Sequence, residues 1–137
     1  GLQRYNSSLV DNLTYTYNGN QLTKVEDATG NTAGFKNGAS QANEYTYDNN
    51  GNLTKDLNKG ITNISYNSLN LPKKITYSDG SIVTYLYGAD GKKYRTVHVI
   101  GGMTTTTEYI GNLLYINNTP QKLMYLLLNE QHQCQKD

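Results

Sequence analysis

Apolar and polar positions alternate along most of this chain with a period of two, the spacing that places every second side chain on one face of an extended strand. The alternation is cleanest from Glu44 to Asp56, Glu-Tyr-Thr-Tyr-Asp-Asn-Asn-Gly-Asn-Leu-Thr-Lys-Asp. There Tyr45 and Tyr47 flank Thr46, Asp48-Asn49-Asn50-Gly51-Asn52 supplies turn formers, and Leu53 resumes the alternation, which predicts a β-hairpin. An earlier copy runs from the strand Leu13-Thr14-Tyr15-Thr16-Tyr17 through the turn Asn18-Gly19-Asn20 to the return Gln21-Leu22-Thr23-Lys24-Val25. Asn and Gly tolerate the positive φ that twist-matched hairpin turns require. Leu2 to Val10 leaves room for a leading strand. Glu26 to Asn43, with Gly30, Gly34 and Gly38 among small polar residues, breaks the rhythm and predicts a long loop or a degenerate hairpin.

Downstream the strands Ile61–Tyr66, Lys73–Tyr77, Ile82–Tyr87, Lys92–Ile100, Met103–Ile110 and Leu113–Ile116 are separated by turn formers at Asn67–Asn70, Ser78–Ser81, Gly88–Gly91, Gly101-Gly102 and Gly111-Asn112. Asn58-Lys59-Gly60 makes a further reversal. The tyrosines that precede the main turns, Tyr47, Tyr66, Tyr87 and Tyr109, stand 19, 21 and 22 residues apart. A period near 20 with strand-turn-strand content is a hairpin repeat, a unit that must lean on its neighbours to bury a face. The expected fold is all-β, with consecutive antiparallel hairpins over residues 1–119 forming one twisted, curling sheet or a small open barrel. Its unpaired edges would favour edge-to-edge pairing with a second copy. From Pro120 the turn punctuation stops, and residues 120–137 read as a divergent tail, a short strand, a helix or a disordered end.

Composition fits this pattern. Hydrophobic residues make up 36% and charged residues 17% of the 137, with thirteen Tyr, one Phe and no Trp. The apolar bulk therefore comes from rings that carry a hydroxyl and suit half-wet surfaces. A formal charge of +1 gives no field to attract nucleic acid or an anionic membrane. The longest apolar run, Leu123 to Leu128, is far short of the roughly 20 residues of a spanning helix. The single cysteine, Cys134, has no partner in the chain. With no initial Met and no signal-peptide core, the chain reads as an internal segment or a trimmed one.

Candidate chemistry is sparse. Asp48-Asn49-Asn50-Gly51-Asn52 is oxygen-rich like a calcium loop, but the twelfth position, where such a loop needs a bidentate Glu, is Lys59. His132 and Cys134 lack the further ligands a structural zinc needs. His98, between Val97 and Val99, reads as a polar residue on the wetter face of a strand. No nucleophile with a neighbouring base stands out, so no catalytic residue, metal or cofactor is assigned. Lys73, Lys74, Lys92, Lys93 and Arg95 read as strand and turn charges that discourage aggregation, with a polyanion contact as the other reading. The pairs Tyr15/Tyr17, Tyr45/Tyr47 and Tyr85/Tyr87 each share a face. They suit structural cross-strand ladders first and a row of rings for sugar stacking second.

Tyr47-Asp48-Asn49-Asn50-Gly51-Asn52-Leu53-Thr54 resembles the YD repeat of the RHS protein family. Weaker matches stand at Tyr17–Thr23, Tyr66–Pro72 and Tyr87-Gly88-Ala89-Asp90-Gly91. The segment from Gly101 to Tyr109 and on to Leu113 is similar to the last repeats before the RHS-associated core in Bacteroides-like bacteria. The resemblance implies a non-catalytic segment of a secreted or surface protein, part of a β-shell around a toxin cargo, paired with other YD repeats. Nothing in the chain matches the self-cleaving core, so no protease residue is carried over. The alternative is a module that binds carbohydrate or a cell-surface protein through Tyr and Asn on the sheet face.

Overall fold

The computed structural model describes residues 1–120; the expected tail beyond Pro120, with His132 and Cys134, lies outside the described residues. The fold is all-β. Its strands are β1 (Leu2–Asn6), β2 (Ser8–Asn18), β3 (Gln21–Asp27), β4 (Tyr45–Tyr47), β5 (Leu53–Asp56), β6 (Ile61–Tyr66), β7 (Pro72–Tyr77), β8 (Ile82–Tyr87), β9 (Lys93–Ile100), β10 (Met103–Ile110), β11 (Leu113–Ile116) and β12 (Thr119–Pro120). Strand order follows the chain, as consecutive hairpins require. The strands fall into two open sheets, β1-β2-β3 and β4 to β12, rather than one, and neither closes into a barrel. The break between the sheets falls at the Gly-rich stretch between β3 and β4, where the alternation lapses.

The chain divides into two compact units, residues 1–65 with 75–79, and residues 66–74 with the chain from Gly80 on. In the first, β2 pairs with β1 and β3, aligning Leu13 with Asp27 and Tyr15 with Val25. Opposed residues share a face, so Asp11, Leu13, Tyr15, Val25 and Asp27 line one side of this sheet. Val10, Leu13, Val25, Ile61 and Ile64 are the buried apolar residues here. The segment between β3 and β4 is the long loop expected from its glycines. It is held by carboxylates, because its own backbone has no ladder to join. Phe35 N–H donates to Asp11 Oδ1 at 2.7 Å, and Arg4 pairs with Asp11 Oδ2 at 2.6 Å. Asp27 accepts from the amides of Asn12 and Thr29 and from the Thr29 hydroxyl. Gly34 is required by this packing, since a Cβ there would run into the Asp11 carboxylate.

In the second unit β8, β9, β10, β11 and β12 form an antiparallel meander. Val83 is its buried apolar residue, while Leu86, Ile100, Met103 and Ile110 are all more than half exposed. Its hairpins are written in their turns. Gly101 and Gly102, at φ 57° and 80°, join Ile100 to Met103, and Asn117 and Asn118, at φ 50° and 65°, join Ile116 to Thr119. Two successive left-handed residues are the signature of the turn whose twist matches the flanking strands.

Candidate functional site

Among the described residues the repeat motif resolves into one backbone device used three times. Asp48 N–H donates to Asn52 C=O and Gly51 N–H to Asp48 C=O; Asn67 makes the same bonds with Leu71 and Asn70, and Gly88 with Lys92 and Gly91. The residue that returns its N–H is left-handed each time, at φ 82° for Gly51, 58° for Asn70 and 81° for Gly91. In the first two copies the leading side chain caps the loop. Asp48 Oδ1 accepts from Asn50 and Asn52 N–H at 2.9 Å each, and Asn67 Oδ1 accepts from Leu69 and Leu71 N–H. The amide of Asn52 beside it is the main reason the Asp48 carboxyl titrates below the usual range. Its second oxygen takes Asn52 Nδ2, so both oxygens already hold N–H donors.

The third copy replaces the cap. The Tyr94 ring stands where a Cβ on Gly88 would go, and Asp90 Oδ1 caps Lys92 N–H instead. After Tyr109 the device is absent: Gly111-Asn112 closes Ile110 onto Leu113 in a shorter loop. The regular spacing of the four tyrosines therefore covers three equivalent turns and one different one.

The expected tyrosines divide by environment. Tyr17 is exposed at the end of β2, and Tyr66 and Tyr109 are half-buried. Tyr47 donates its hydroxyl to Leu22 C=O at 3.0 Å, and burial pushes its phenol pKa up. Tyr85 and Tyr87 meet along β8 with ring centroids 6.2 Å apart, and Lys93 Nζ sits 4.3 Å above the Tyr85 ring. Leu53 lies across from Tyr47 in the β4–β5 hairpin.

Tyr45 is the expected residue that borders a cavity. Gly34, Phe35, Lys36, Tyr45, Asp56, Asn58 and Lys59 line a space of about 550 Å3 within the first unit. Glu44 holds one of these lining residues, Asn58, in place. Its backbone N–H donates to Thr23 C=O, and its carboxylate, wholly inaccessible, accepts from Val25 N–H and Asn58 Nδ2 at 2.9 Å. The residue thus satisfies an outer edge of β3 as a neighbouring strand would. Asn58 Nδ2 also donates to Tyr45 Oη, and Asn58 Oδ1 accepts from Ala39 N–H, which fixes the amide. Burial, with Asp56 and Glu44 adding to it against the Asn58 bond, pushes the Tyr45 phenol up.

Asp56 begins the 3-10 turn Leu57–Lys59, its Oδ1 accepting from Lys59 N–H at 3.2 Å, and Gly60 ends it at φ 69°. Asp56 is 5% exposed, and among the described residues no donor reaches its Oδ2. Lys36 and Lys59 have exposed side chains and no ion-pair partner among the described residues. Glu44, Asp56 and Asn58 were missed as site residues in the sequence. The available signal was a carboxylate at each end of the stretch from Glu44 to Asp56 in a chain poor in charge.

Among the described residues there is no cluster of three or more metal-ligand side chains, and no helix long and apolar enough to cross a membrane. The class that the fold defines is an all-β protein of consecutive antiparallel hairpins. No family model, curated protein or solved structure matches the chain.

Proposed function

We propose that this chain is a non-catalytic structural segment of an RHS-type secreted or surface protein, contributing hairpins to a β-wall around a toxin cargo. The observation that carries the reading is the turn shared by Asp48, Asn67 and Gly88, which returns at intervals of 19 and 21 residues. A device repeated at that spacing works by register and packing rather than by converging reactive groups. Edge-to-edge pairing with other repeats or a second copy draws support from β1, an edge strand whose five residues are all exposed, Tyr5 and Leu2 among them. Such an edge offers unpaired N–H and C=O groups to another strand.

The test is molar mass by light scattering behind a size-exclusion column, over a dilution series. Concentration-dependent dimers or larger species are expected, weakened when Tyr5→Lys puts a charge on this exposed edge. A monomer at every concentration would overturn edge pairing and with it the wall.

A further inference from the structure

The geometry points to the cavity beside β4 as a binding site for a neutral saccharide. Three features on its wall restrict the ligand. Asp56 is 5% exposed and spends one carboxylate oxygen on the Lys59 amide. Among the described residues no donor is recorded at its Oδ2 and no buried side-chain polar atom lacks a partner, so Oδ2 keeps some solvent access, and Asp56 is one of the residues that line the cavity. A carboxylate oxygen kept open in this way accepts from a ligand hydroxyl. Lys36 and Lys59 on the same wall offer donors that no carboxylate of the described residues engages. Phe35 and Tyr45, both half-buried, supply ring surface.

Charge narrows the choice. Two unpaired ammonium groups disfavour a cationic ligand, while Asp56, with the buried Glu44 carboxylate behind Asn58, disfavours an anionic one. A neutral ligand that carries donors and acceptors side by side, together with an apolar C–H face for a ring, satisfies every group. A pyranose has that chemistry. The volume of about 550 Å3 falls within the roughly 300–1,000 Å3 of small-molecule sites. The wall is held before any ligand arrives: Asn58 is fixed by three hydrogen bonds, Gly34 is packed on Asp11, and Asp56 is capped onto its turn. Preorganisation of this kind lowers the ordering cost of binding. The site is distinct from the wall function, because none of its lining residues lies in β1.

The test is a nitrogen-15 NMR titration of the intact chain with maltotriose, cellotriose, mannotriose and the N-acetylglucosamine trimer, with glucosamine and glucuronate as charged controls. Saturable shifts at the amides of Phe35, Tyr45 and Lys59 are expected with at least one neutral trimer, and weaker binding of both charged sugars. Asp56→Asn retains the Oδ1 cap and turns the free acceptor into a donor, so it should weaken binding about ten-fold or more with an unchanged melting temperature. Lys36→Ala, at an exposed side chain, should weaken it several-fold, and it decides the matter if Asp56→Asn does not fold. No saturable shift with any trimer, tighter binding of a charged control, or unchanged affinity in Lys36→Ala would overturn the site. Failure here leaves the molar-mass result untouched, and the reverse holds as well.

Discussion

The two units are both built from antiparallel strands and hold them by different means. The first buries carboxylates: Asp11, Asp27, Glu44 and Asp56 are each at most 8% exposed, and each accepts from at least one backbone amide. The second holds its meander with tight turns and leaves Ile100, Met103 and Ile110 in solvent. The contrast follows from connectivity. A loop as long as the one between β3 and β4 presents amides that no ladder satisfies, and a carboxylate is the strongest short acceptor available for them. A two-residue hairpin loop exposes its few polar groups to water and needs only residues that accept positive φ.

The largest break in this contrast should come from Glu44→Ala. It strips a wholly buried acceptor from Val25 N–H and Asn58 Nδ2, and we expect a loss of about 3 kcal/mol or more. Hydrogen exchange should locate the loss at the Val25 amide and at that of Gln41, which also donates to Glu44 Oε1, with the β9–β10 amides spared. Equal loss in both regions would mean that the units do not differ in what holds them.

A smaller effect is expected in the second unit from Gly88→Asp, which restores the leading residue of the first turn. The new side chain meets the Tyr94 ring and Asp90, so a cost of about 1–2 kcal/mol is expected. Combined with Tyr94→Ala, the substitution should cost much less than the sum of the two changes, a coupling of about 1 kcal/mol in denaturant melts. Simple additivity would show that the ring does not occupy the place of the missing cap.

Asn118→Gly is expected to raise stability by about 0.5 kcal/mol in the same melts, because glycine meets φ 65° without a Cβ. No gain would mean that the asparagine side chain contributes as much as the conformation costs.

The smallest effect per residue is acid loss in the first unit. Glu26, whose carboxyl is held at about 2 by hydrogen bonds from Lys24 first and then Asn37 and Ser40, sits with about a third of its side chain exposed. Asp27 is lowered chiefly by the Asn12 amide and Asp48 chiefly by that of Asn52. Groups depressed on folding stabilise fully above their unfolded values and lose that contribution as pH falls through the folded ones. The first unit should therefore weaken from about pH 4.5 down to about 2, and Glu26→Gln should flatten the profile. A profile indifferent to Glu26→Gln would remove that residue from the account.

Much of this protein was written locally. Alternation placed the strands, and Asn or Gly placed the reversals, because both signals act within a few residues and need no distant partner. The hairpin at Asp48 and its echo at Asn67 were legible for the same reason. Other features were decided only in three dimensions. The fourth tyrosine, Tyr109, keeps the spacing yet leads into a different turn, since spacing does not specify which amide returns to which carbonyl. The strands divided into two sheets at a loop whose hold on the rest depends on Asp11 meeting Phe35 and Glu44 meeting Val25, 24 and 19 residues apart in the chain. The cavity residues Asp56 and Asn58 carry no motif. A buried carboxylate with an open oxygen is defined by what surrounds it, and that environment exists only once Gly34, Phe35 and Tyr45 have come to the same wall.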